Sequence, residues 1–271
     1  MDYDIWEQGK VFADVNFNQK PVNKSLYYDI FGSYPDPDKN DIYLAHTWTV
    51  LLNSQLDSAL YKKIKLLGTG EGFFSQAFFV EALLPFLRKN GIWSNIVSDF
   101  IVSESINETI PRFLKIYFNA IKELYNQYVP EDESKPSAYK NILFKTTGLG
   151  AIIKLIPNVY KKVQDNLYEN DEVLKDAIKL IFTETFSEQI SALDNSLQDL
   201  MKQLQLLNKE INKEKVQDIN NEMILLNNKK ETILKKSSGE YYFSRESQYA
   251  KGGGKGLQNR LYNELVLDLG L

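Results

Sequence analysis

Apolar residues recur three and four positions apart along most of this chain, a spacing that gathers them on one face of an α-helix. The exception opens the sequence. In residues 11–17, Val11, Ala13, Val15 and Phe17 alternate with Phe12, Asp14 and Asn16, which predicts a strand. Pro21 ends it, and Asn23 or Ser25 can cap a short helix that runs to about Phe31. A helix over 41–53 follows, with Ile42, Leu44, Ala45, Trp48, Leu51 and Leu52 forming a broad apolar face. A second strand is expected at 64–67, then a turn at Gly68, Gly70 and Gly72. The apolar run 76–89 reads as a helix kinked at Pro85, because proline removes a backbone donor. Gly91 stops it, and a further helix is expected over 93–102. Pro111 should open a long helix, since Phe113, Ile116, Tyr117, Ala120, Ile121, Leu124 and Tyr128 recur at helical spacing.

PEDESKPS at 130–137 reads as a loop or hinge. The stretch after it, AYKNILFKTTGLGAIIKLIPNVYKKV, reads as helix, Thr-Thr-Gly break, helix, with Gly148 and Gly150 allowing close packing or a turn. A helix over 171–187 precedes a change of pattern. Ile190, Leu193, Leu197, Leu200, Leu204, Leu207 and Ile211 keep heptad spacing; the register slips, and Val216, Ile219, Met223 and Leu226 resume it. One helix across 188–235 would be about 70 Å long at 1.5 Å per residue. An antiparallel coiled-coil hairpin turning within 208–215 is favoured, with a continuous, dimerising helix as the alternative. The chain closes with a strand-like patch, Tyr241 to Phe243, a glycine-rich loop and a terminal helix over 257–269. The fold class is therefore α+β and predominantly α-helical, organised as 1–130 and 138–271.

Composition narrows the function. Basic and acidic residues number 32 and 36, for a net charge of −4, so any nucleic-acid contact must come from a local patch. With no cysteine and one histidine, His46, thiol chemistry and a histidine-built zinc site drop out. No apolar run reaches the roughly 20 residues of a membrane span. The acidic start MDYDIWEQGK is unlike a signal peptide, so a cytoplasmic location is expected. No catalytic residue, metal ligand or cofactor is assigned, and an enzyme is the less favoured class.

The sharpest local feature is GGGKG, Gly252 to Gly256, ahead of a helix. Glycines free backbone N–H groups to face an anion, and the helix dipole favours negative charge there. Arg245, Lys251, Lys255 and Arg260 lie within the same sixteen residues. A phosphate, on DNA or on a nucleotide, would suit Gly252, Gly253, Gly254 and these four cations; a flexible loop is the plain alternative. GGGKG is not a Walker A motif, because Gly256 stands where Ser or Thr is needed. GTGEG at 68–72 reads as a turn and His46 as a core residue.

Three stretches carry a resemblance. FADVNFNQKPVNKSLYYDIFG resembles the segment that follows the signature of DGQHR-domain proteins, through Asn16, Gln19, Lys20, Val22, Ser25 and Leu26. FKTTGLGAIIKLI is similar to a later Thr-Gly helix pair of that family, and GGGKGLQNRLYNEL to its closing loop and helix. The resemblance implies a DndB-like component of DNA-modification or defence loci, with a ParB/sulfiredoxin-like core and DNA or nucleotide phosphate as ligand. The Asp-Gly-Gln-His-Arg signature itself is missing from this sequence. The resemblance thus implies a fragment, a split gene whose partner chain would supply the signature, or a chain whose true start lies further upstream, in each case with only a remnant of the core in this sequence. Asn16, Gln19 and Lys20 would then face that missing segment. The competing expectation is a helical interaction module, a homo-oligomer through 188–235 with no nucleic-acid role.

Overall fold

A computed structural model describes residues 7–9, 11, 23–33, 40–68, 71–98, 104–128, 142–143, 145–207 and 212–271. Among them the chain is predominantly helical. The elements are α1 (Lys24–Gly32), α2 (Asn40–Ser54), β1 (Ile64–Lys65), β2 (Phe74–Ser75), α3 (Gln76–Leu87), α4 (Ser94–Ser98) and α5 (Glu104–Leu124), then α6 (Thr146–Lys162), α7 (Asp171–Leu206), α8 (Lys213–Ser237), α9 (Glu240–Phe243) and α10 (Lys255–Leu269). The sheet is minimal: β1 and β2 pair in parallel, Ile64 against Phe74 and Lys65 against Ser75. The strand expected at 11–17 falls outside the described residues except for Val11, which is helical and exposed.

Local chemistry explains where several helices begin and end. The Asn23 side chain accepts from the Ser25 N–H at 2.9 Å and caps α1. Asn170 accepts from the N–H groups of Glu172 and Val173, both at 3.1 Å, and Asp171 and Glu172 place negative charge on the positive end of α7. Helix α10 ends at Gly270, whose φ of 64° is cheap only for glycine, with Leu271 N–H closing on the Val266 carbonyl at 3.0 Å.

Pro111 and the Thr-Thr-Gly run do not mark helix boundaries as the sequence places them, while Pro85 sits within a helix as expected. Pro111 lies inside α5 instead of opening it. A proline within a helix costs about 3 kcal/mol. Ile110, Phe113, Leu114, Tyr117 and Ile121 of the same helix are all buried, and each fully buried side chain of this kind contributes about 1.5–3 kcal/mol, so packing outweighs the lost hydrogen bond. Pro85 is likewise inside α3, two residues from its end. Thr146, Thr147 and Gly148 form the first turn of α6, where N–H groups have no intrahelical acceptors in any case. The aromatic patch at Tyr241 to Phe243 is a turn of helix, not a strand. Gly239, at φ 79°, reverses the chain after α8 and sends Tyr242 and Phe243 into the core, where no strand edge waits for them.

One hydrophobic cluster runs from Phe31 in α1 to Leu269 in α10. Its centre is α5 and α6, joined by the Tyr117 hydroxyl, which donates to the Ile152 carbonyl at 2.7 Å in a fully buried site. Burial holds that phenol in its neutral form, with its pKa well above the ordinary value. Trp93 meets Trp48, Phe86 and Tyr160 edge-on, with ring centroids 5.5–5.7 Å apart.

Helices α7 and α8 pack along one another. The Lys230 ammonium pairs with the Asp194 carboxylate, which marks an antiparallel register. The chain therefore folds back between Leu206 and Lys213 and does not continue as one rod. Leu193, Leu197, Leu200 and Ile233 are buried along this pair, while Val216, Ile219, Met223 and Leu226 are half-buried. Helix α7 is longer than the heptad pattern alone implies, because the stretch 171–187 is continuous with it and packs on α5, with Phe182 against Tyr117.

Candidate anion-binding cleft

The candidate chemistry sits where α3, α6 and α10 meet. Gly150 makes this meeting close: a side chain there would run into the Gln258 amide, its Cβ 2.7 Å from the amide carbon. The Gln258 Nε2 group donates to the Thr146 carbonyl at 2.8 Å and ties α10 to the first turn of α6. Beside this tie lies a cleft of about 390 Å³. Its α3 wall is apolar, made by Phe78, Ala82, Pro85 and Phe86, and Ile153 of α6 extends it. Its polar side is Lys154 from α6 with Lys255, Gln258 and Asn259 from α10.

Two ammonium groups thus face one cavity. Lys154 is half-buried and donates to the Asn259 Oδ1 atom, a neutral partner. Burial, and then the positive charge of Lys255, hold its pKa below the ordinary lysine value. Neither lysine pairs with a carboxylate among the described residues. Glu81 also lines the cleft, but its carboxylate is engaged by Lys24 at 2.7 Å. The adjoining loop is open. Gly252, Gly253, Gly254 and Gly256 have nothing within 4 Å of where a Cβ would stand, and Gly252 and Gly254 have φ of 115° and 94°. Gly254 precedes α10 without a side-chain cap, so the first N–H groups of the helix remain available.

Of the cations singled out in the sequence, Lys255 lines this cleft. Lys251 and Arg260 are exposed nearby in sequence and do not line it. Arg245 pairs with the neighbouring Glu246. Lys236 is held by Asp268 at 2.8 Å and lies 3.7 Å from Glu264. Asn16, Gln19 and Lys20 lie outside the described residues. Ser25, which shares their motif, is buried, and its hydroxyl accepts from the Ala77 N–H at 3.2 Å, which docks α1 on the start of α3. Sequence reasoning missed Lys154. Its only signal is a lysine on the otherwise buried run Ala151–Ile156 of a helix.

His46 is a core residue, 3.2 Å from the Asp29 carboxylate and packed on Gly32. Among the described residues no cluster of His, Asp and Glu is arranged to hold a metal ion, and no helix is long and apolar enough to cross a membrane. Comparison with protein-family models, curated proteins and solved structures returned no match.

Proposed function

We propose that the chain is a DNA-associated binding or regulatory component of a DNA-modification or defence system, of the DGQHR/DndB-like kind, and that it meets phosphate through the segment entering α10. The observation that carries this reading is the exposed, glycine-rich approach to a helix N-terminus flanked by Lys251, Lys255 and Arg260. All three are exposed, and none has an ion-pair partner among the described residues. A net charge of −4 is compatible with it, because DNA affinity follows the local count of phosphate contacts and not the bulk charge. On this reading the small β1–β2 pair belongs to a remnant of a ParB-like core.

The test is the salt dependence of duplex binding. Changing Lys255 and Arg260 together to Ala weakens duplex affinity and makes the slope of log affinity against log salt shallower by about two, one for each lost phosphate contact. An unaltered protein with no salt-sensitive affinity for duplex DNA overturns the reading. It would leave the helical interaction module, for which the α7–α8 hairpin is the natural surface.

A further inference from the structure

We infer that the α3–α6–α10 cleft is a nucleotide-binding site, taking a nucleoside monophosphate unit with its phosphate between Lys154 and Lys255 and its base against Phe78 and Pro85. The inference depends on the DNA reading only in assigning phosphate to Lys255. Lys154, the apolar wall and the amides are independent of it.

Three features of the cavity select this chemistry. The first is size: about 390 Å³ falls at the small end of the range of ligand pockets, roughly 300–1,000 Å³. The second is the pairing of opposite walls. Phe78 is half-buried and Pro85 exposed, so both offer surface to a flat ring, and a base stacks favourably on an aromatic side chain. On the α6 and α10 side two lysines share the cavity, and the carboxylate that lines it, Glu81, is engaged by Lys24 at 2.7 Å. Burial, and then the charge of Lys255, disfavour the charged form of Lys154, and an anion placed there offsets the second of these. The third is the amide pair. Gln258 spends its NH₂ on Thr146 and keeps its carbonyl oxygen, while Asn259 spends its carbonyl oxygen on Lys154 and keeps its NH₂. One acceptor and one donor on the cleft edge match the edge of a base.

The experiment is calorimetric titration of the full chain with adenosine 5′-monophosphate, adenosine and inorganic phosphate, repeated on variants. The monophosphate should bind at least tenfold tighter than either adenosine or phosphate, because only it engages both walls. Lys154→Met should weaken it at least tenfold. Ala82→Leu, which narrows the cleft without touching a cation, should weaken it as well. Neither change should alter the affinity or salt slope for duplex DNA. Conversely, Lys251→Ala with Arg260→Ala should weaken the duplex and leave the monophosphate untouched. Equal binding of phosphate and monophosphate overturns the inference, as does equal binding of adenosine. So does no binding of the monophosphate at about 1 mM, the level of a −4.1 kcal/mol interaction. Loss of duplex binding with the monophosphate retained overturns the DNA reading and not this one.

Discussion

Asp268, near the end of α10, offers a sharp test of how the hairpin is fastened to the body. Its carboxylate accepts from the Tyr242 hydroxyl at 2.6 Å and from the Lys236 ammonium at 2.8 Å, with both oxygens in reach of the lysine. Tyr242 is fully buried, and the side chains of Asp268 and Lys236 are only 16% and 18% exposed. Burial and the adjacent carboxylate keep the tyrosine neutral, with its pKa far above the ordinary value. Asp268→Ala strands two donors at once. The hydroxyl loses its acceptor in an apolar site, at a cost of about 1–3 kcal/mol. The ammonium keeps Glu264, at 3.7 Å, and the face of the Tyr241 ring, 4.9 Å from its centroid. Breaking a buried pair by removing one partner costs about 3–5 kcal/mol, and solvent at the Lys236 end places this case near the lower figure. Tyr242→Phe removes one hydrogen bond and leaves the ion pair, so it should cost about 1 kcal/mol. The assay is urea unfolding of both single variants and the double. The Ala variant should lose about 3 kcal/mol, or ~6–12 °C in melting temperature. The double variant should be less destabilised than the two singles added together, because the stranded hydroxyl is gone. Strict additivity, or an Ala variant within about 0.5 kcal/mol of the unaltered protein, refutes the view that these three groups act as a unit.

Three further outcomes can be checked by unfolding measurements. Glu123 of α5 lies 2.9 Å from Lys175 and also pairs with Lys179, both of α7; burial alone would raise its pKa, but the hydrogen bonds from Lys179 and Lys175 outweigh it and hold it below 4.5. Its contribution to stability is therefore fully present above pH 4.5 and lost as pH falls through the lowered value, so Glu123→Gln should remove part of the acid dependence below pH 4.5, and an unchanged acid limb contradicts this. Gly148→Ala would drive a Cβ to 2.1 Å from the Ile142 carbonyl oxygen and should cost about 1–3 kcal/mol, whereas Gly253→Ala, with nothing within 4 Å, should leave stability nearly unchanged; equal effects refute the close-approach argument. Leu200→Ala, at a buried position, should cost about 2–3 kcal/mol, and Leu204→Ala, half-buried nearer the turn, clearly less; a reversed order means the seam is not where α8 packs.

Much of the helical layout was legible in the sequence because it rests on local rules. Spacing places α2, α3 and the seam of α7 near their observed limits, and Asn23 marks the start of α1 as a capping residue should. Local rules failed where burial outweighed them. Pro111 stays inside α5 because five buried neighbours offset one missing donor. Tyr241 to Phe243 look like a strand only until Gly239 turns them into the core.

The sequence by itself determined that Lys255 follows a glycine loop and opens a helix, since glycine content and helix periodicity are properties of neighbours in the chain. It determined the heptad seam for the same reason. Only the tertiary structure decided that Lys154, about a hundred positions upstream, shares a cavity with Lys255. That meeting depends on Gly150 admitting the Gln258 amide and on Gln258 reaching the Thr146 carbonyl. It also decided which cations are already neutralised, as Lys236 is by Asp268, and which face a cleft with no carboxylate partner. Pairing between distant charges is set by how helices pack, and packing follows from the sum of many buried contacts that no local pattern records.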